Sequence, residues 1–514
     1  MPNPQKESLF VLIKSLSKSE KRQFKLYVGR FDGNVNSKFL ALFTFLEKSQ
    51  TYDEQAILKK KIVTKQQLSN LKANLYKQIL KSLRLNPAQH NIRIVIREQL
   101  DYATILYNKG LYTQSLKLLD KAKILALEHE EKNIAYEIVE LEKVIETQYI
   151  TRSMESRADE LSEEAKTLSI QNVLASKLSN LSLQLYGLLL RVGYVKNEDD
   201  YKEVNAYFHK RLPKVNINEF GFREKLWFYK AHLWYSFLTQ DFLSSYKYAS
   251  KWVDLFTQTP KMKEMNPVFY LKGNHYLLES LYFIKHESKF KEVLFQLEDD
   301  ISEGRIPLND NTEVLSFLYV YMNKLNYYFL TGTFSDGLHL VAEVNERIST
   351  FENRIDPHHV MVFYYKIASL YFGAGDRKNS IFYLQKIISN KSLNVREDLL
   401  CFSRILNLVA HYELGMDYHL ETQLKSTYKY LLKMNDLHEV QREMIVFLRS
   451  LGTIYPHEIK NAFKALHAKL KPFEEDPYER RAFLYLDIIS WLESNIENKP
   501  VAEIIQAKAK KLIR

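Results

Sequence analysis

The chain has 514 residues, and its 14 Gly and 12 Pro are about 5% of them, against about 12% in an average protein. Sheets and tight turns consume both residue types, so the composition argues for a soluble, nearly all-helical chain over an all-β or doubly wound α/β one. A hydrophobic fraction of 46% excludes disorder, and the single cysteine, Cys401, excludes an internal disulfide, a Cys-based zinc site and an iron–sulfur cluster. The 73 Lys+Arg and 62 Asp+Glu leave a net charge of +11; residues 1–90 alone hold 17 basic and 6 acidic side chains, also +11. A segment so charged is expected to seek phosphate, anionic lipid or an acidic partner.

In chain order, the apolar run Leu9–Ile13 is too short for a signal-peptide core, and no stretch reaches the ~20 apolar residues of a membrane helix. A cytoplasmic location is expected. Residues 1–90 read as four or five short helices. Ser17 and Glu20 have capping-box spacing, so a helix starts near Lys18 and carries Phe24, Tyr27, Val28 and Phe31 on one side. Phe31–Ser37 reads as a turn. A second helix holds Phe39, Leu42, Phe43 and Leu46, and a third starts near Asp53. Thr64 and Gln67 form a second capping-box candidate, opening a long helix that ends at Asn86-Pro87.

In that helix Leu68, Leu71, Leu75, Ile79 and Leu83 form an apolar stripe at helical spacing. The opposite stripe is Gln66, Asn70, Asn74, Lys77, Lys81 and Arg84. Asn and Gln pair with adenine edges, and Lys and Arg neutralise phosphates, so these six residues are the candidate nucleic-acid-binding face. The Asp53–Lys60 stretch, a short connection and this helix loosely resemble a helix-turn-helix. A small helical cap with a solvated basic face, or a module for an anionic membrane or acidic protein, remains an alternative.

From residue 91 the pattern becomes repetitive. In ILYNKGLYTQSLKLLDKAKIL (105–125), Gly110 suits a turn, Tyr112 opens a second helix, Ser115 and Ala122 are small enough for close helix approach, and Leu116 and Leu119 fill the core. Similar units are marked near Glu155 and at Tyr201, Phe242 (with Ser245), Phe290, Phe334 (with Gly332 and Gly337), 377 (with Gly375 and Ser380) and Tyr418 (with Gly415), a mean spacing of about 44 residues. The units resemble the tetratricopeptide repeat, whose usual period is 34, with helices about one turn longer and without the Trp-x-x-Leu-Gly pattern of the first helix. Over residues 91–514 the resemblance implies a right-handed α-solenoid of antiparallel helix pairs, a single unit closed by capping helices; with residues 1–90 as the basic helical module read from their charge and helix signals, the expected fold is all-α. VAEIIQAKAKKLIR is expected to be the last cap, with Lys508, Lys510, Lys511 and Arg514 on its wet side.

The resemblance also implies a groove lined by the first helix of each pair. Its candidates are Trp227, Lys230 and Trp234; His275, Tyr282 and Lys285; Tyr319, Met322 and Asn326; and Tyr365 and Ser369. Such a lining would suit an extended or helical peptide; the alternative is that these residues serve packing. No phosphate loop, dinucleotide-binding turn, His-Glu-x-x-His or nucleophile elbow occurs in the sequence. His358 and His359 are adjacent, so on a helix they point about 100° apart and are not expected to chelate one ion. Cys401 is expected as a buried hydrophobe beside Phe402, Ile405 and Leu406.

These readings predict a non-enzymatic adaptor or scaffold with no catalytic residues, cofactor or metal. It would hold a protein or peptide in the solenoid and dock on nucleic acid or a ribonucleoprotein through the basic module. A ligand-sensing transcriptional regulator with an N-terminal helix-turn-helix, or a structural scaffold touching a membrane surface, are the alternatives.

Overall fold

The computed structural model describes residues 7–30, 34–86, 91–148, 156–351, 354–390, 397–415, 423–428, 430, 439–450, 454–455, 457–480, 482–485 and 487–512. Among the described residues every regular element is a helix, as the shortage of Gly and Pro predicts. The chain divides into two compact units, residues 1–169 and 170–514.

The first unit opens with α1 (Ser8–Ser15), α2 (Lys18–Val28), α3 (Asn34–Lys48), α4 (Glu54–Lys59) and α5 (Lys65–Arg84). The Ser17 capping box forms: Glu20 N–H donates to Ser17 Oγ at 3.2 Å, and Ser17 N–H donates to Glu20 Oε2 at 2.7 Å. The box predicted at Thr64 does not; Thr64 is extended ahead of α5, but its hydroxyl caps nothing. The predicted turn over Phe31–Ser37 is shorter, because α3 is already helical at Asn34; Phe31 lies outside the described residues. α1, α2, α3 and α5 close around Ile13, Phe24, Leu42, Phe43, Leu46, Leu75 and Ile79, all fully buried. Each contributes roughly 2 kcal/mol of transfer free energy.

A second cluster in the same unit is built by α6 (Ile92–Asn108), α7 (Tyr112–Glu128), α8 (Lys132–Gln148) and the start of α9 (Arg157–Val192). Gly110, at φ +75°, makes the α6–α7 turn, and Tyr112 is the first residue of α7. Ser115 is fully buried and donates from Oγ to Ala103 O at 2.8 Å, a contact only a small side chain permits; Leu116, Leu119 and Ala122 are buried beside it. The even spacing of units fails here. α9 runs unbroken for 36 residues where a turn was expected between Glu155 and Tyr201; its sequence offers no Pro and one Gly, too little to stop it. Tyr201 then lies in the first turn of α10 (Glu198–Arg211) instead of opening it. Glu155 lies outside the described residues.

The second unit runs α11 (Phe222–Leu238), α12 (Phe242–Gln258), α13 (Lys261–Met265), α14 (Pro267–Phe283), α15 (Glu287–Ser302), α16 (Asp310–Thr331), α17 (Phe334–Gly337), α18 (Leu340–Thr350), α19 (Pro357–Gly373), α20 (Arg377–Ile388) and α21 (Glu397–Glu413); neighbours in the chain pack in succession from α11 to α16 and from α19 to α21, while α17 and α18 pack on α16, which also meets α19. Four turns share one device: Gln240, Lys285, Gly332 and Gly375 each hold a left-handed backbone two residues before the next helix. Lys285 does so without being glycine, which corrects one sequence marker. α15 opens at Glu287, so Phe290 lies three residues in, fully buried, where α7 has Ser115. Gln240 is held by its side chain, which donates from Nε2 to Val195 O at 3.0 Å. Cys401 is fully buried on α21, between Leu400 and Phe402. Tyr418 lies outside the described residues.

α13, α14 and α15 are locked by Asp300, which is wholly buried. Its carboxylate accepts from Lys263 Nζ at 2.8 Å, Tyr270 Oη at 2.5 Å, Gln296 Nε2 at 3.0 Å and Arg305 Nε at 2.7 Å. Burial pushes its pKa up, but these bonds and the Lys263 charge outweigh burial and hold it below the usual carboxylate range.

The C-terminal residues do not simply cap the last pair. Helices Ile459–Leu470, Ile488–Glu497 and Val501–Leu512, with the turns between them, fold back on the earlier ones. Tyr478 Oη donates to Glu198 Oε2 at 3.0 Å, Trp491 Nε1 to Glu413 Oε1 at 2.6 Å, and Gln506 Nε2 to Gly332 O at 3.0 Å. Arg480 donates to Gln240 O and stacks over Phe242. Gly332 is needed for more than its turn, because a Cβ there would sit 3.1 Å from Ala502 O and from Gln506. Lys508 is corrected too. It points inward, with Nζ 2.6 Å from Glu493 and 2.9 Å from Ser490 Oγ, while Lys510 and Lys511 are exposed. Arg514 lies outside the described residues.

Candidate binding surfaces

α5 presents its two stripes as the periodicity predicts. Leu68, Leu71, Leu75 and Ile79 are buried and Leu83 half-buried, and Gln66, Asn70, Asn74, Lys77, Lys81 and Arg84 are all exposed. The six are not equivalent. Arg84 is paired with Asp101 of α6 at 2.7 Å, which raises its pKa further, whereas Lys77 and Lys81 point into solvent. Gln78, flanked on its helix by Asn74 and Lys81, accepts from Tyr27 Oη at 3.1 Å, so α2 borders the stripe.

On α2 the sequence reading missed a second basic group. Lys18, Lys21, Arg22 and Lys25 recur at helical spacing and, with Leu26 and Glu47, line a shallow depression of about 550 Å³. Lys25 is paired with Glu47 at 2.7 Å. Nearby Lys14 has its pKa lowered, by burial and then by the charge of Lys21. The spacing of Lys18, Lys21 and Lys25 at i, i+3 and i+7 is the sequence signal for this face.

The second unit holds a cavity of about 1040 Å³. His275 and Tyr282 of α14, Lys285 at the following turn, Tyr319, Met322 and Asn326 of α16, and Tyr365 and Ser369 of α19 all line it. Three other groove candidates do not. Trp227 packs edge-on against Phe269, Lys230 lies 4.5 Å over Trp227, and Trp234 packs against Tyr186 and Tyr276. They join α11 to its neighbours, and burial lowers the Lys230 pKa to about 8. The cavity is closed on another side by residues the sequence reading did not place there, among them Arg480, Asp487, Trp491, Val501, Ile505 and Lys508.

Inside, the His275 ring is stacked 4.5 Å from that of Tyr319. The Asn323 amide donates to Tyr319 O at 2.7 Å, which fixes Nδ2 as the atom 3.2 Å from His275 Nδ1. His275 is therefore the acceptor at Nδ1 and carries its proton on Nε2. Burial, with smaller contributions from His359 and the Lys272 and Lys366 charges, lowers its pKa to about 3. Lys366, beside Tyr365, donates from Nζ to Asn326 Oδ1 at 2.5 Å and lies 5.4 Å over Phe329 and 6.0 Å over Tyr282. Burial lowers its pKa to about 8, against the opposing charge of Glu279.

His358 and His359 also line the cavity, at the start of α19. His359 is tied to Asp356, with Nδ1 2.5 Å from Oδ2. Among the described residues no group of three or more His, Cys, Asp or Glu is placed to hold a metal ion, and no helix is long and apolar enough to cross a membrane. Compared with family models, curated proteins and solved structures, the chain matches none.

Proposed function

We propose that this chain is a non-enzymatic, cytoplasmic adaptor. Residues 1–90 dock on the phosphates of a nucleic acid or ribonucleoprotein, and a tetratricopeptide-like right-handed solenoid further along holds a protein or peptide partner. The observation that carries the first half is the exposed stripe Gln66, Asn70, Asn74, Lys77, Lys81, Arg84 over a buried leucine seam, in a segment with net charge +11. Exposed Lys and Arg displace counterions from phosphates, and neighbouring Asn and Gln reach base edges. Arg22 and Lys18 on α2 extend the basic surface available to a phosphate chain. The test is fluorescence anisotropy of labelled duplex DNA and single-stranded RNA against the full chain over a salt series. Binding that weakens steeply with salt supports the reading, and no binding at low salt removes it.

A second reading, a ligand-sensing regulator whose DNA contact lies on α5, is favoured by one observation. The groove residues predicted on α14, at the turn after it, on α16 and on α19 share a cavity of about 1040 Å³ also walled by C-terminal residues. That size suits a small molecule better than an extended peptide. Sequence preference among DNA probes, altered by a ligand, separates this reading from the adaptor.

A further inference from the structure

Lys366 is a half-buried cation of the cavity wall that the protein leaves largely uncompensated. An ammonium has three N–H donors, and the protein contact of the Lys366 Nζ is with a neutral amide oxygen, Asn326 Oδ1, at 2.5 Å. No carboxylate among the described residues lies within ion-pair distance of it; Glu279 of α14 acts on it from further away. Glu279 and Glu287 also line the wall, and several of the other charges there are engaged elsewhere. Asp241 and Asp487 cap helices, Glu474 pairs with Lys471, Lys508 with Glu493, and Arg480 with Gln240 O. Lys285 is exposed at its turn.

His275 adds a second donor. With Nδ1 satisfied by Asn323, its Nε2–H has no protein acceptor among the described residues, and His275 lines the same cavity. Much of the rest of the wall is aromatic or apolar, including Tyr282, Tyr319, Met322, Phe329, Phe372 and Trp491, with Glu279, His358 and His359 among its polar positions.

We infer that this cavity is a binding site for a small amphipathic acid. Its anionic head, a carboxylate, sulfonate or phosphate, accepts from Lys366 Nζ and the His275 ring, and its flat apolar body lies against the tyrosines and phenylalanines. A cation held among aromatic faces, with no carboxylate in ion-pair contact, gains more from an anion than a solvated lysine does. The volume fits a ligand larger than a single amino acid. The inference rests on the second functional reading and supplies the ligand class it needs.

The probe is 8-anilino-1-naphthalenesulfonate, an aromatic sulfonate, compared with N-phenyl-1-naphthylamine, the same rings without the acid. The full chain is expected to bind the sulfonate saturably at one site and at least about tenfold more tightly than the amine. K366M should lose that preference while keeping its affinity for the amine within about twofold, and K366R should recover most of it. Melting curves and circular dichroism report whether each variant folds; should K366M not fold, the comparison of the two probes on the parent chain still decides. Equal affinity of the parent for both probes, no saturable binding, or unchanged sulfonate affinity in folded K366M would overturn the inference. Failure here removes the acidic ligand alone. Ligand sensing itself fails only if no bound small molecule alters nucleic-acid affinity, which the anisotropy measurement reads separately.

Discussion

On α5 the polar residues stand in water and the leucines turn inward; in the second unit, Lys366 and His275 turn inward and are ringed by aromatics. The same residue types do different work in these two settings. An exposed lysine is screened and worth little alone, so a basic face acts by number and its effect varies with salt. An enclosed lysine without a counter-ion acts singly, through desolvation and geometry, and responds to pH more than to salt.

The largest expected effect sharpens this contrast by attacking the frame of one unit. Asp300→Ala leaves Lys263, Tyr270 and Arg305 without their shared acceptor and should destabilise the second unit by about 3 kcal/mol, with nucleic-acid binding through α5 unchanged in native buffer. The folded-state pKa of Asp300 is depressed, so its contribution is present above the unfolded carboxylate pKa and lost as pH falls through the folded value. Thermal melts of the parent should therefore weaken on acidification more than those of Asp300→Asn.

Next in size is charge neutralisation of the exposed face. Each phosphate contact changes the log–log salt slope by about 0.9, so Lys77→Ala with Lys81→Ala should lower affinity for duplex DNA roughly 60-fold at about 0.1 M salt. If the double variant binds like the parent, α5 is not the contact face and the α2 lysines become the candidates. Arg84→Ala should cost less than either lysine change, because Arg84 is already committed to Asp101; an effect as large as that of Lys81→Ala would show that the pair opens on binding.

In the cavity the response should be to pH. Lys366, with a pKa lowered to about 8, is charged below that value and neutral above it, so sulfonate-probe affinity should fall as pH rises through about 8. The titratable groups lining the cavity with it include His275, Glu279 and Tyr282 of α14, Tyr319 of α16, His358, His359 and Tyr365 of α19, and Asp487 and Lys508 from the C-terminal residues. His275 titrates near 3 and the Tyr282 pKa is raised by burial, so neither changes charge there. A flat profile between about pH 6 and 9 would separate Lys366 from probe binding. The smallest effect is expected at the turn: Lys285→Gly relieves a left-handed backbone at φ +56° and should raise stability by about 1 kcal/mol, read by thermal melting.

The stripe on α5 was legible because it is local: four buried apolar residues three and four apart fix which way the intervening side chains face. The helical character followed equally from composition. Within the second unit, counting from turn residues reached one wall of the cavity, since His275, Tyr319 and Tyr365 lie at related positions on α14, α16 and α19. It missed Lys366, one residue from Tyr365, because a fixed set of positions is narrower than the face α19 presents, which runs through Val362, Tyr365, Lys366, Ser369 and Phe372. The wall from Arg480 to Ala509 was not legible at all. It depends on contacts such as Gln506 to Gly332, 174 residues apart, which no local period encodes. Turns at Gln240 and Lys285 were also opaque to a glycine search, since both take the left-handed conformation with full side chains.

The most direct measurement is the salt dependence of nucleic-acid binding by the full chain. Anisotropy with a labelled duplex of about 20 base pairs, measured from about 50 to 300 mM salt, should give a log–log slope of −2 or steeper, made shallower by about two units when Lys77 and Lys81 are both alanine. No binding at 50 mM salt, or a slope near zero, would contradict it, and the +11 of residues 1–90 would then have to serve an acidic protein or a membrane surface instead.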